Sequence, residues 1–136
     1  MKIVINTCYG GFGLSEKAMK EYFRLKGWPF YVEEKPLGNT YWNVPLSERV
    51  QEIDWNKATM EERIAYNEKF EKQTCYDRDI ERTDPDLIRA IETVGTEEAS
   101  GGYASLKIVE IPDDVEWQIE EYDGSEWVAE KHRIWN

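Results

Sequence analysis

Met1-Lys2-Ile3-Val4-Ile5-Asn6-Thr7 runs into Cys8-Tyr9-Gly10-Gly11-Phe12-Gly13-Leu14-Ser15, and the fold turns on this stretch. Residues 2–7 read as a strand with an apolar centre. Three glycines then interrupt the pattern. Beyond them Leu14, Ala18, Met19, Tyr22, Phe23 and Leu25 follow helical spacing. Ser15 fits the N-cap of that helix, Gly27 fits its C′ position, and Pro29 lies just past its end. A strand that passes through a glycine-rich turn into a helix N-terminus leaves backbone N–H groups facing whatever sits above the turn, a geometry suited to an anion. The bland reading of the same glycines is a tight turn that needs positive φ. The turn lacks the Lys-Ser/Thr ending of a P-loop and the spacing of a dinucleotide fingerprint.

Pro29 to Glu34 reads as a second strand. Residues 36–58 carry Pro36, Gly38, Asn39 and Pro45 with little periodicity, and read as a long, partly ordered loop with a helical turn near Ser47 to Ile53. Thr59-Met60-Glu61-Glu62 is a capping box that opens a helix to about Lys72, with one narrow apolar stripe of Met60, Ile64, Ala65 and Phe70. Asp84-Pro85 opens a further helix whose buried face is Leu87, Ile88, Ile91 and Val94, ended by Gly95. Residues 97–102 read as a loop. Three strands follow, over about 103–111, 115–122 and 126–135. Pro112-Asp113-Asp114 and Asp123-Gly124 are their turns, and Asp-Gly is a strong hairpin signal. The fold expected is α+β over a single domain, 1–136. Its sheet is mainly antiparallel, built from the N-terminal strand and a C-terminal three-stranded meander, with two or three helices packed on one face.

The 28 acidic residues outnumber the 17 Lys and Arg, for a net charge of −11. Direct nucleic-acid binding needs a basic surface, so it is not expected. Eight acids and no Lys or Arg lie between Glu110 and Glu126, which reads as a solvated sheet face or as an acidic surface for a basic partner. Six Trp, eight Tyr and four Phe supply core area and stacking surfaces. Two cysteines and one histidine make no zinc pattern, and no metal or cofactor is expected. No apolar run approaches a membrane span, and Met1-Lys2-Ile3-Val4-Ile5 is too short for a signal peptide, which implies a cytosolic protein with reduced thiols.

With Asp123-Gly124 at the centre of a type I′ turn, Ile119 faces Val128, Trp117 faces Glu130 and Val115 faces His132 on one side of the hairpin. Glu120 then faces Trp127, Gln118 faces Ala129 and Glu116 faces Lys131 on the other. Glu130 and the only histidine, His132, thus share a half-buried face. They would hold a ligand or act as acid and base, or be solvated at a fraying sheet end. Arg133 and Trp135 extend the strand. Between two helices, Thr74 to Pro85 offers Arg78 or Arg82 for a phosphate or carboxylate, against the plainer reading of local ion pairs. Asp77 and Asp79 lack a defined third ligand for a metal. No Ser–His–Asp or Cys–His arrangement is readable.

Cys8 to Ser15, Tyr76 to Ile80 with Arg82 to Pro85, Leu106 to Asp114 and Glu126 to Arg133 together resemble a family of small, mostly uncharacterised phage and prophage proteins. The likeness implies a phage-encoded accessory protein in the bacterial cytoplasm, a class that often counters host defence.

The function expected is non-enzymatic binding of a small anionic, nucleotide-like ligand, sequestering a host immune signal. Tyr9, Gly10, Gly11 and Phe12 would form its loop, Arg78, His132 and Arg133 its positive charge, and Glu130 would accept from a base or sugar. One rival is an acidic inhibitor that mimics nucleic acid towards a basic host protein. Another is a small nucleotide hydrolase using Glu130 and His132. Tyr41, Trp42 and Trp55 in the 36–58 loop would equally serve a homo-oligomer interface.

Overall fold

The computed structural model describes residues 1–131. Its elements are β1 (Lys2–Asn6), α1 (Glu16–Lys26), β2 (Tyr31–Glu33), β3 (Thr40–Trp42), α2 (Met60–Gln73), α3 (Pro85–Val94), α4 (Thr96–Ala99), β4 (Leu106–Glu110), β5 (Trp117–Tyr122) and β6 (Ser125–Glu130). The architecture is α+β with antiparallel pairing throughout. The expected meander is divided: β4 pairs with β1, from Lys2 opposite Glu110 to Asn6 opposite Leu106, while β5 pairs with β6. Pro112 brings no N–H to a ladder at that corner. Asp113 beside it is held by the N-terminal ammonium at 2.6 Å. A third ladder, β2 with β3, places a strand in what reads from sequence as loop.

Helices α1, α2 and α3 start and stop where the sequence predicts, and the short α4 lies in what reads from sequence as loop. Ser15 Oγ accepts from Ala18 N–H, Thr59 Oγ1 from Glu62 N–H, and Asp84 caps α3 ahead of Pro85. Val4, Leu14, Met19, Tyr22, Phe23, Leu87, Ile91 and Leu106 join β1, β4, α1 and α3 into one core. Helix α2 departs from expectation. Met60 is 67% exposed and Ile64 50%, and no α2 residue is fully buried. The stripe that packs is aromatic: Tyr66 stacks on Phe70, Trp55 meets Tyr66 edge-on, and Trp42 meets Phe70 edge-on. Trp42 is buried in β3 and Tyr41 stacks on Phe30, so these two rings are not open loop aromatics.

Among the described residues no strand pairs with the second edge of β1. Val4 N–H donates to Arg82 O at 2.9 Å, and Asn6 N–H donates to Glu126 Oε1 at 2.8 Å. The Arg82 guanidinium grips both oxygens of Glu126, at 2.7 and 3.0 Å, and also donates to Val4 O. The fully buried Asn6 side chain is saturated. Its amide donates to Cys8 O and Gly124 O, and its oxygen accepts from Cys8 N–H and Ser105 N–H. One asparagine therefore ties β1 to the glycine loop, to the β5–β6 turn and to the start of β4.

Glu126→Ala strips the partner from an Arg82 that stays largely enclosed, and stability measured by urea denaturation falls by about 3 kcal/mol. A change under about 1 kcal/mol would remove this network from its structural role. Asp84 is the second electrostatic anchor. Burial alone would raise its carboxyl, but Tyr22 O–H at 2.7 Å, Asp86 N–H and Lys26 outweigh burial and hold it below the usual range. A depressed carboxyl adds stability that is present above its unfolded value, about pH 4, and lost as pH falls through the folded value. Tyr22→Phe should flatten that acid-side loss in denaturation curves between about pH 5 and 2; an unaltered slope would exclude the Tyr22 bond as its source.

Candidate functional site

The glycine loop is a packing junction. A Cβ on Gly10 would lie 2.1 Å from the Tyr103 backbone oxygen, and one on Gly124 would lie 2.6 Å from Tyr9 O and 2.7 Å from Gly11 N. Backbone thus presses on backbone from both sides of the loop. Leu14 N–H donates to Asp77 Oδ2 at 3.0 Å, so the chain's own carboxylate sits where the sequence suggests a ligand anion. Phe12 is also occupied: the Arg82 guanidinium lies 3.6 Å over its ring. Tyr9 remains outside, 68% exposed.

Of the other predicted residues, neither Arg78 nor Glu130 joins this loop. Arg78 stacks over Tyr76 and lines a separate cavity beside Phe70, Thr74 and Cys75. Burial there pushes the Cys75 thiol up to about 11, which keeps it protonated at neutral pH. The hairpin has the register read from sequence, Trp117 opposite Glu130 through Tyr122 opposite Ser125, with positive φ at Asp123 and Gly124 as a type I′ turn requires. In that register the turn meets the glycine loop, whereas Glu130 is exposed at the far end of the strand, roughly 17 Å along it. His132 and Arg133 lie outside the described residues. Among the described residues no three His, Cys, Asp or Glu side chains are grouped to hold a metal ion. No described helix is long and apolar enough to cross a membrane.

A different cleft brings together cations and aromatic rings. It measures about 550 Å³ and is lined by Lys17, Lys20, Glu21 and Arg24 of α1, by Trp28 and Phe30, and by Thr93, Val94 and Glu98. The sequence builds it in two steps. Positions 17, 20 and 24 fall on one stripe of α1, turned away from buried Ala18, Met19, Tyr22 and Phe23. The helix then ends in a Schellman motif. Gly27 is left-handed at φ 74°, its N–H donates to Arg24 O, and Trp28 N–H donates to Phe23 O. That closure sets Trp28 edge-on to Phe23 at 5.5 Å and to Tyr22 at 6.2 Å, leaving the indole 39% exposed. Phe30 is fixed between Phe23 and Tyr41.

Two of the three cations are pinned by carboxylates. Lys17 Nζ lies 2.7 Å from Glu98, and Arg24 forks onto Glu21. The Arg24 hydrogen bond holds the Glu21 carboxyl below its ordinary range, and Lys17 does the same for Glu98. Lys20 has no carboxylate within ion-pair distance among the described residues. The cleft therefore offers one open ammonium, two cations that can exchange their carboxylates for a ligand's, and a ring surface. Sequence reading missed it, although the 17/20/24 spacing and the Gly27-Trp28 helix end were legible.

The packing assignment predicts a ranking. Gly10→Ala drives a methyl into Tyr103 and costs about 2 kcal/mol or more. Gly11→Ala meets open space and pays only for its positive φ, about 1 kcal/mol. Thermal denaturation of the two variants checks this, and equal stability would mean the Gly10 contact is soft.

No protein-family model, curated protein or solved structure matches the chain, and a functional reading rests on its own geometry.

Proposed function

We propose that the chain is a non-enzymatic binding protein for a small anionic ligand with a planar group, a nucleotide-like molecule, held in the cleft between α1 and α3. The observation that carries this reading is the Lys17, Lys20 and Arg24 stripe beside Trp28 and Phe30. In a chain of net charge −11, a cationic stripe is where local attraction works against the overall field. A base stacked on an aromatic side chain gains about 1–3 kcal/mol, and an oxyanion meeting Lys20 and Arg24 gains charge-assisted hydrogen bonds. Glu21 and Glu98 make the site selective. A ligand displaces them only if it supplies comparable negative charge, so a neutral planar molecule is disfavoured.

Sequestration of a host signal is the use we propose for such a site. Of the pair that the hydrolase reading needs, Glu130 is exposed and His132 lies outside the described residues.

Calorimetric titration with nucleoside mono-, di- and triphosphates and cyclic dinucleotides tests the proposal. At least one member binds, Lys20→Glu weakens it by about tenfold or more without lowering the melting temperature, and Trp28→Ala weakens it comparably. Absence of binding across the panel, or an unaltered affinity in Lys20→Glu, would refute the site.

A further inference from the structure

Among the described residues no strand pairs with the outer edge of β5. In a hairpin closed by a two-residue turn, the residues flanking the turn exchange both backbone hydrogen bonds, and every second residue does so again. Tyr122, Glu120 and Gln118 are thereby bonded to β6. Lys131 N–H donating to Glu116 O at 3.0 Å continues the series. Trp117, Ile119 and Glu121 turn their backbone groups the other way. Among the described residues β5 pairs with β6 alone, and no backbone hydrogen bond reaches that second edge.

An open edge invites another strand unless charged side chains, Pro or a bulge block it. Here the register from 117 to 122 is continuous, no Pro interrupts it, and residues 108–130 contain no Lys, Arg or His, so the charges along it are all acidic. What flanks the edge is acid, from Asp114 and Glu116 to Glu120, Glu121 and Asp123. A second copy of the chain would set like charges side by side, which destabilises cross-strand pairs. The same charges favour a cationic strand. Exposed Tyr122 and Trp127 add ring faces on the side of the hairpin that carries Glu120.

We propose that the outer edge of β5 takes up an extended, Lys/Arg-rich segment of another protein by strand addition. Backbone bonds to Trp117, Ile119 and Glu121 fix the segment. Its alternate cations meet Glu120 and the Tyr122 and Trp127 rings. This edge is independent of the cleft between α1 and α3, and either can fail without the other.

The probe is a ten-residue peptide of alternating Lys and Val, added to the full-length ¹⁵N-labelled protein at low ionic strength. The peptide binds, and amide exchange at Trp117, Ile119 and Glu121 slows by about tenfold or more while α1 amides exchange as before. A double variant, Glu120→Lys with Glu121→Lys, loses about tenfold or more in affinity while retaining its circular dichroism spectrum. Absence of binding would overturn the proposal. So would equal binding of an alternating Glu and Val peptide, or binding that leaves the three amides exchanging at the free rate, since the last result means charge attraction without strand addition.

Discussion

The saturation of the Asn6 side chain is the constraint on which one end of the molecule depends. A buried amide is tolerated only when its donors and acceptor find partners. Asn6 takes its partners from three places far apart in sequence: the start of the glycine loop, the β5–β6 turn and the residue before β4. Its own backbone N–H reaches Glu126, which is gripped by Arg82, which covers Phe12. Moving any of these segments leaves a buried donor, acceptor or charge without its partner. The close approaches at Gly10 and Gly124 follow, because segments drawn together by Asn6 leave no room for a Cβ.

That arrangement also engages two groups of the glycine loop from within the chain. Asp77 occupies the helix-side amide and Arg82 occupies the Phe12 ring, so groups that look available along the chain are internally engaged. The α1 surface behaves differently. Its buried face is spent on the core, and its other face carries Lys17, Lys20 and Arg24 towards the rings of Trp28 and Phe30. The cleft thus arises from a helix whose two faces serve separate purposes, and from a helix end that fixes where the indole stands.

Features set by short-range chemistry were legible in the sequence. Caps at Ser15, Thr59 and Asp84, the Gly27 helix end and the Asp123-Gly124 turn each depend on a few adjacent residues, and the hairpin register follows from its turn. What escaped depends on distant partners. Nothing near Asn6 announces Gly124 or Ser105, and nothing near Glu126 announces Arg82. The stripe of α2 was only partly legible: Phe70, expected in it, does pack, but with Tyr66 against Trp42 and Trp55, while Met60 and Ile64 stay exposed. The β2–β3 ladder was missed because Thr40 to Trp42 is too short to show a period. The cleft was half legible: the cationic spacing and Trp28 were on view, but their meeting with Val94 and Glu98 required the packing of α1 on α3.

Chemical-shift mapping on the ¹⁵N-labelled protein, titrated with nucleotides, tests the division between packed loop and open cleft most directly. The account predicts shifts at Lys17, Lys20, Val94 and the Trp28 indole N–H, with residues 9–13 undisturbed. Shifts centred on Tyr9 to Gly13, with the α1 stripe silent, would contradict it.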